Sequence, residues 1–234
     1  LAESPRTALL LHGAGGGGWE WCRWRPIIER AGWSVRAPDL EPAAAGLAAT
    51  RLHHYRVQVE ASGTDCAVLI GASLGALLAL LAAPRLAPRA LVLVNPLPPA
   101  PWHAGLPERD WPDIVPWGRE ASLEATLRAL PDADRATCRM AATRWRDESG
   151  TALREAQAGV AVEPPACPLL VVVSGGDTDV PAAISHALAR AWSADVLALP
   201  AASHVGPLLG RDAERVATQV LAWLARTVRG SGAG

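Results

Sequence analysis

The sequence predicts an α/β fold of about six mostly parallel strands flanked by helices, broken once by a helical insertion. Three observations lead there. Short apolar runs of strand length alternate with longer segments of helical period, the rhythm of a parallel sheet with crossover helices. Half of the 234 residues are apolar and 19% are charged, which suits one domain with a substantial core. The rhythm lapses only between 95 and about 166, where a proline-rich stretch carries Trp102, Trp111, Trp117 and Trp145.

Each element has its own signal. "TALLLHG" (Thr7 to Gly13) reads as a first buried strand, and Trp24, Ile27, Ile28 and Ala31 mark one face of a helix ending at Gly32. "WSVRAPDL" supplies a second strand, and a helix is expected over Leu47 to Ala61. Cys66 to Ile70 is a continuous apolar run, as in a strand buried on both faces. Leu77 to Ala83 is rich in helix formers and is expected to stop at Pro84. "ALVLV" (90–94) is the next strand. Within the break, helices are expected near 119–130 and 132–147. "PLLVVVSGG" then gives a strand, and a helix enters at Pro181 with Ile184, Leu188 and Ala191 inward. "ADVLALP" is the last strand. The closing helix places Val216, Val220, Trp223 and Leu224 at i, i+4, i+7 and i+8. A solvated linker would not hold four tryptophans, so 95–166 is expected to be a helical lid on a core formed by 1–94 and 167–228. Residues 229–234 read as a disordered tail.

Composition excludes several classes of function. Net charge is −1 with no basic stripe, so nucleic acid is not an expected partner. All 22 basic residues are arginine, which removes Schiff-base and lysine-base chemistry. Cys22, Cys66, Cys138 and Cys167 form no C-x-x-C pair and read as reduced structural thiols rather than a disulfide or zinc set. No apolar run reaches spanning length and no signal peptide is visible, so the expected location is the cytoplasm. The chain begins at Leu1 rather than methionine, which leaves room for an upstream segment.

A polar serine interrupts the apolar stretch "CAVLIGASLGALLAL". Gly71-Ala72-Ser73-Leu74-Gly75 between a strand and a helix has the form of a nucleophile elbow, where small neighbours let the hydroxyl stand clear of the backbone. The competing reading is a tight turn whose serine merely caps the helix. An activated serine also needs a base, a group to orient it, and donors for the oxyanion. His204 follows the last strand by a short loop and is the candidate base. His53, His54 and His186 fall in helical patterns, and His103 lies in the approach to the lid. Asp177, directly off the strand "VVVSGG", is the candidate orienter, with Asp179 as the alternative; either could instead cap the helix near Pro181. The N–H groups of Leu74 and Ala14 are the expected oxyanion donors, because the glycines of "HGAGGGGWEW" allow close backbone approach. Gly13, Gly15, Trp102, Trp111 and Trp145 are the expected substrate contacts.

That glycine run lacks the G-K-[ST] of a phosphate-binding loop. Gly13, Gly15 and Gly18 fit G-x-G-x-x-G, and Asp39 lies near the distance of its ribose-binding acid. That reading leaves Ser73, Asp177 and His204 unexplained, so no cofactor is expected.

The order Ser73, Asp177, His204 resembles that of the α/β-hydrolase superfamily, over essentially the whole chain. "HGAGGGGWEW" is similar to the H-G-A-x-x-G-x-W-x-W stretch of the small methylesterase and hydroxynitrile lyase group and its bacterial esterase relatives. "D-x-x-V-P" after a strand matches Asp177 through Pro181. The resemblance implies a serine hydrolase cleaving a small-molecule carboxylic ester through an acyl-enzyme, with His12 structural. It also implies that the first two strands of the full superfamily sheet are missing. Ala72 stands where many relatives carry histidine. The lyase branch relies on a threonine where Gly13 stands and on a lid lysine, and this chain has neither. Ser73 argues against the relatives with an aspartate nucleophile. "GASLGALLAL" also resembles type II thioesterases, for which Arg109, Arg119 and Arg128 would form a cationic rim toward an acidic carrier protein. A small-ligand binding protein on the same fold is the third reading.

Overall fold

The structure is a computed structural model and describes residues 6–230. A six-stranded sheet forms the centre, in the order β2-β1-β3-β4-β7-β8, with every pairing parallel. In chain order the elements begin with β1 (Thr7–Leu11), α1 (Arg25–Arg30), β2 (Ser34–Arg36), α2 (Leu52–Ser62), β3 (Val68–Ala72), α3 (Leu74–Leu86) and β4 (Ala90–Val94). The insertion holds β5 (Ile114–Val115), α4 (Leu123–Ala129), α5 (Arg135–Ala142), β6 (Glu148–Ser149) and α6 (Gly150–Gln157). The chain closes with β7 (Leu169–Ser174), α7 (Ala182–Ala191), β8 (Asp195–Leu199), α8 (Gly206–Leu209) and α9 (Ala213–Gly230).

The apolar runs become central strands because both of their faces are covered. β1, β3, β4 and β7 are buried at every position. Alternate residues point to opposite layers: Ala8, Leu10, Val68 and Ile70 pack with Ile28, Val216, Val220 and Leu224, while Leu9, Leu11 and Leu69 pack with Leu77, Leu78 and Leu80 of α3. The insertion joins both layers, Cys138 and Ala141 of α5 in the first and Ala152 and Ala156 of α6 in the second. β5 and β6 pair antiparallel and close it.

Several boundaries differ from the sequence expectation. α3 passes through Pro84 and ends at Leu86, because proline in the last turn forfeits a single hydrogen bond; Ala87, left-handed at φ 46°, then stops it with its N–H on the carbonyl of Ala83. β2 is only three residues long, since Pro38 has no N–H to extend the ladder. The helix expected from Leu47 is a 3₁₀ turn over Leu47–Ala49, with α2 starting separately after extended Arg51. The insertion helices are shorter than expected, starting at side-chain caps from Ser122 and Asp134. Residues 229 and 230 close α9 instead of opening a tail, and 231–234 lie outside the described residues. Among the described residues, no helix is long and apolar enough to cross a membrane.

Strand order reverses between β1 and β3: the chain leaves β1 for β2 on one side and returns to β3 on the other. A crevice therefore opens beyond the carboxyl ends of β1 and β3. The loops after these strands carry Gly13–Gly18 and Ser73.

Candidate active site

Ser73 occupies the turn from β3 into α3 with φ 51° and ψ −117°, a conformation unfavourable for a residue with a Cβ. Surrounding bonds enforce it. The Ser73 N–H donates to the carbonyl of Val94 at 2.9 Å, and its own carbonyl accepts from Ala76 and Leu97 at 3.0 and 3.1 Å. The flanking glycines answer to close approach. A Cβ on Gly71 would lie 2.3 Å from the carbonyl oxygen of Gly75, and one on Gly75 would lie 2.4 Å from that of Leu11. Ser73 makes no side-chain cap to α3, which removes the helix-cap reading.

The loops after β7 and β8 are brought together by two more glycines. Gly175 and Gly176 donate to the carbonyls of Leu199 and Ala202, and a Cβ on Gly175 would strike the Pro200 oxygen at 2.3 Å. Asp177 and His204 thereby meet: His204 Nδ1–H donates to Asp177 Oδ2 at 2.7 Å. Asp177 Oδ1 accepts the N–H groups of Asp179 and Val180 at 2.8 and 2.9 Å. With Nδ1 carrying the proton, Nε2 is left as a base. Burial lowers the His204 pKa, but the hydrogen bond and charge of Asp177, with Asp179 adding, outweigh it and hold the ring above the ordinary 6.5. The Asn95 amide further pins the loop by donating to the His204 carbonyl at 2.6 Å. Ser73 and His204 line one cavity, and among the described residues no hydrogen bond joins Ser73 Oγ to the ring.

Asp179 does not orient the histidine; its carboxylate accepts from Arg109 at 2.6 Å. Asp177, Asp179 and His204 are the one His/Cys/Asp/Glu group among the described residues with ligand atoms mutually within 4.8 Å. Protein donors already occupy both carboxylates, so the set fits a hydrogen-bonded pair better than a metal centre.

The loop after β1 runs past Ser73 so closely that a Cβ on Gly13 would lie 3.3 Å from Ser73 Cβ. His12 is structural: Nδ1–H donates to the Gly13 carbonyl at 2.7 Å, and Nε2 accepts from Leu40 N–H at 2.9 Å. Burial pushes its pKa down to about 4, so the ring stays neutral. Glu20 lies beneath the loop with Oε2 accepting Gly13 N–H at 3.1 Å, and burial pushes its pKa up to about 8. Gly15 N–H donates to Glu148 Oε2 at 2.9 Å and Gly16 N–H to the Gly13 carbonyl at 3.2 Å. Ala14 and Gly17 N–H have no protein partner among the described residues, and of the two only Ala14 lines the same cavity as Ser73. Leu74 N–H, at the start of α3, is likewise unpaired.

The cavity holds about 460 Å³. Trp111, Trp117 and Trp145 supply most of its aromatic wall. Trp111 meets Trp117 edge-on at 5.8 Å, and Trp145 meets Trp19 at 5.0 Å. Trp102 does not line it, contrary to expectation: its ring packs edge-on against Trp192 at 5.3 Å, filling the gap between the insertion and α7. Gly13 and Gly15 shape the loop without forming cavity wall. Trp117 was the missed tryptophan, while Glu20, Arg146 and Glu148 were the missed polar residues. Only Glu20 carried a local signal, an acid between Trp19 and Trp21. Arg109, Arg119 and Arg128 are paired with Asp179, Asp147 and Glu124 and do not form a free cationic rim.

Residues 8–219 match the sequence pattern of the alpha/beta hydrolase family. Among curated proteins none matches the sequence significantly. Solved structures with a similar fold include a pyrethroid hydrolase from Sphingobium faniae JZ-2, at 23% identity and TM-score 0.71, covering 94% of this chain and 97% of that one. A methylesterase from Arabidopsis aligns at 14% identity and TM-score 0.69, over 96% of this chain and 99% of its own. Tomato Methylketone Synthase I, complexed with 2-tridecanone, aligns at 15% identity and TM-score 0.74, over 95% and 99%. At these identities the likeness is one of fold.

Proposed function

This chain belongs to the alpha/beta hydrolase family, and on that premise we propose that it is a serine esterase acting on carboxylic esters of apolar or aromatic small molecules. One observation carries the proposal: the cavity that Ser73 enters from a strained turn is also lined by His204, whose Nδ1–H is held by Asp177.

In this reading Ser73 Oγ attacks the ester carbonyl carbon while His204 Nε2 takes the hydroxyl proton. Asp177 keeps the ring in the tautomer that leaves Nε2 free and stabilises the imidazolium once it forms. The electron pair displaced onto the carbonyl oxygen is received by the N–H groups of Leu74 and Ala14. Collapse expels the alcohol with the proton from His204, leaving an acyl group on Ser73. Water then adds to the acyl carbonyl with His204 as base again, and the acid leaves as Ser73 recovers its proton.

The aromatic wall of Trp111, Trp117 and Trp145 suits a flat or bulky apolar substituent. Residues 95–166 act as the lid that supplies this wall. The test is turnover of matched oxygen esters and thioesters of increasing acyl size by wild type and Ser73→Ala. Aryl and branched oxygen esters should be cleaved fastest and the variant should be inactive. Normal turnover in Ser73→Ala would refute the assignment.

A further inference from the structure

We propose that Arg146 and Glu148, on the segment between α5 and α6 of the insertion, are positioning residues that decide which amide of the 12–16 loop faces Ser73. The inference rests on the serine esterase reading and goes beyond it, since nothing in the triad requires the insertion to shape the oxyanion site.

Gly15, Gly16, Gly17 and Gly18 have little backbone preference of their own, so a fixed path for this loop needs outside contacts. The segment after α5 supplies them. Arg146 N–H donates to the Gly15 carbonyl at 2.8 Å, and its Nε donates to the Gly16 carbonyl at 2.8 Å. Its Nη2 reaches the Leu40 carbonyl at 3.0 Å, tying down the neighbouring loop after β2. Glu148 holds the preceding peptide, Ala14–Gly15, from the other side of the same residue. Its carboxylate is buried, with Oε1 accepting from Tyr55 OH at 2.6 Å and Ser149 N–H at 2.7 Å, and Oε2 accepting Gly15 N–H at 2.9 Å. A buried carboxylate is tolerable only when so satisfied, which makes the Gly15 contact hard to give up.

The fit is close as well as polar. Gly15 sits at φ +68°, and a Cβ there would come within 2.6 Å of the Trp117 ring and 3.1 Å of the Arg146 carbonyl. Gly15 N–H and carbonyl are both committed to the insertion, and Gly13 N–H is committed to Glu20. Ala14 N–H is what remains. The Ala14 amide lies in the Gly13–Ala14 peptide, whose carbonyl accepts Gly16 N–H at 3.2 Å, so release of Gly15 and Gly16 would let that peptide turn and the free amide swing from the cavity. The oxyanion site is thus assembled across the core and the insertion, and displacing the insertion unmakes it.

Glu148→Gln is the discriminating variant. Oε1 has two donors and Oε2 one, so the amide oxygen will take the two-donor position and its NH₂ will face Gly15 N–H, which loses its acceptor while the shape is kept. Arg146→Met, at a partly exposed site, is the second variant and decides alone if the first does not fold. The probe is an aryl trifluoromethyl ketone, which adds Ser73 Oγ to its carbonyl and places the hemiketal oxygen where the oxyanion would sit. Carbon-13 NMR then titrates the hemiketal hydroxyl. Both variants should raise its pKa by about 1 and lower kcat roughly 10–100-fold, with KM changed less than about threefold. Folded variants with wild-type kcat and hemiketal pKa, even if less heat-stable, would overturn the positioning role and leave the esterase reading standing. No Ser73 adduct on wild type would overturn the esterase reading, and this inference with it.

Discussion

The Nδ1–H of His204 donates to Oδ2 of Asp177 at 2.7 Å, while Oδ1 of the same carboxylate holds the backbone N–H groups of Asp179 and Val180. One side chain thus fixes both the tautomer of the ring and the turn from which it acts. Asp177→Asn preserves size but presents an amide where the ring needs an acceptor. The expected result is a folded protein with kcat lowered about 10³–10⁴-fold on an aryl ester, measured under saturating substrate. A loss below tenfold would mean that the ring does not depend on Asp177.

The pH profile follows from the same pair. In the proposed mechanism His204 takes a proton only when neutral, and its pKa is raised above the ordinary 6.5. Activity should therefore fall as pH drops through a value higher than that of an ordinary histidine. Asp179 is one of the negative charges that raise it, so Asp179→Asn should move the acid limb of kcat/KM to lower pH. An unmoved or higher limb would contradict the electrostatic account.

Glu20 gives a stability prediction of definite sign. Its carboxyl titrates near 8 in the folded protein against 4.5 for the free group, so between these values the native state binds more protons than the unfolded chain. Stability must then decline as pH rises from about 4.5 to about 8, by an amount on the order of a few kcal/mol. Glu20→Gln imitates the protonated acid and should remove this slope. Melting temperatures of both proteins across that range will check it. A wild type that gains stability towards pH 8, with an unchanged slope in the variant, would show that Glu20 is charged in the fold.

The aromatic wall predicts selectivity. Trp117 meets Trp111 edge-on and lies against Gly15, so Trp117→Ala removes aromatic surface from the cavity without touching Ser73 or His204. The ratio of kcat/KM for a naphthyl ester over an acetyl ester should fall about tenfold, the value of one well-packed ring contact. An unchanged ratio would place the substrate elsewhere.

Parts of this site were legible because local sterics write them into the chain. Gly71 and Gly75 are required by backbone contacts near 2.3 Å, so the elbow shows as a fixed five-residue pattern. Asp177 and His204 sit in short loops directly after β7 and β8, where strand alternation alone places them at one end of the sheet. The loop's supports were not legible. Arg146 and Glu148 reach Gly16 and Gly15 across 130 and 133 positions of sequence, and no periodicity records such a meeting. The tryptophans were legible as a group but not singly. Spacing does not tell Trp102, which fills the gap against Trp192, from Trp117, which faces the cavity. The end of α3 was not legible because a proline in the last turn forfeits only one hydrogen bond, so the helix runs past Pro84 to Leu86.

The proposed chemistry stands on Ser73 being an activated nucleophile. Intact mass after a serine-directed fluorophosphonate, on wild type, Ser73→Ala and His204→Ala, tests it most directly. Wild type should take one adduct, Ser73→Ala none, and His204→Ala should label at least about a hundredfold more slowly. Folded wild type that takes no adduct, or Ser73→Ala labelled like wild type, would contradict it.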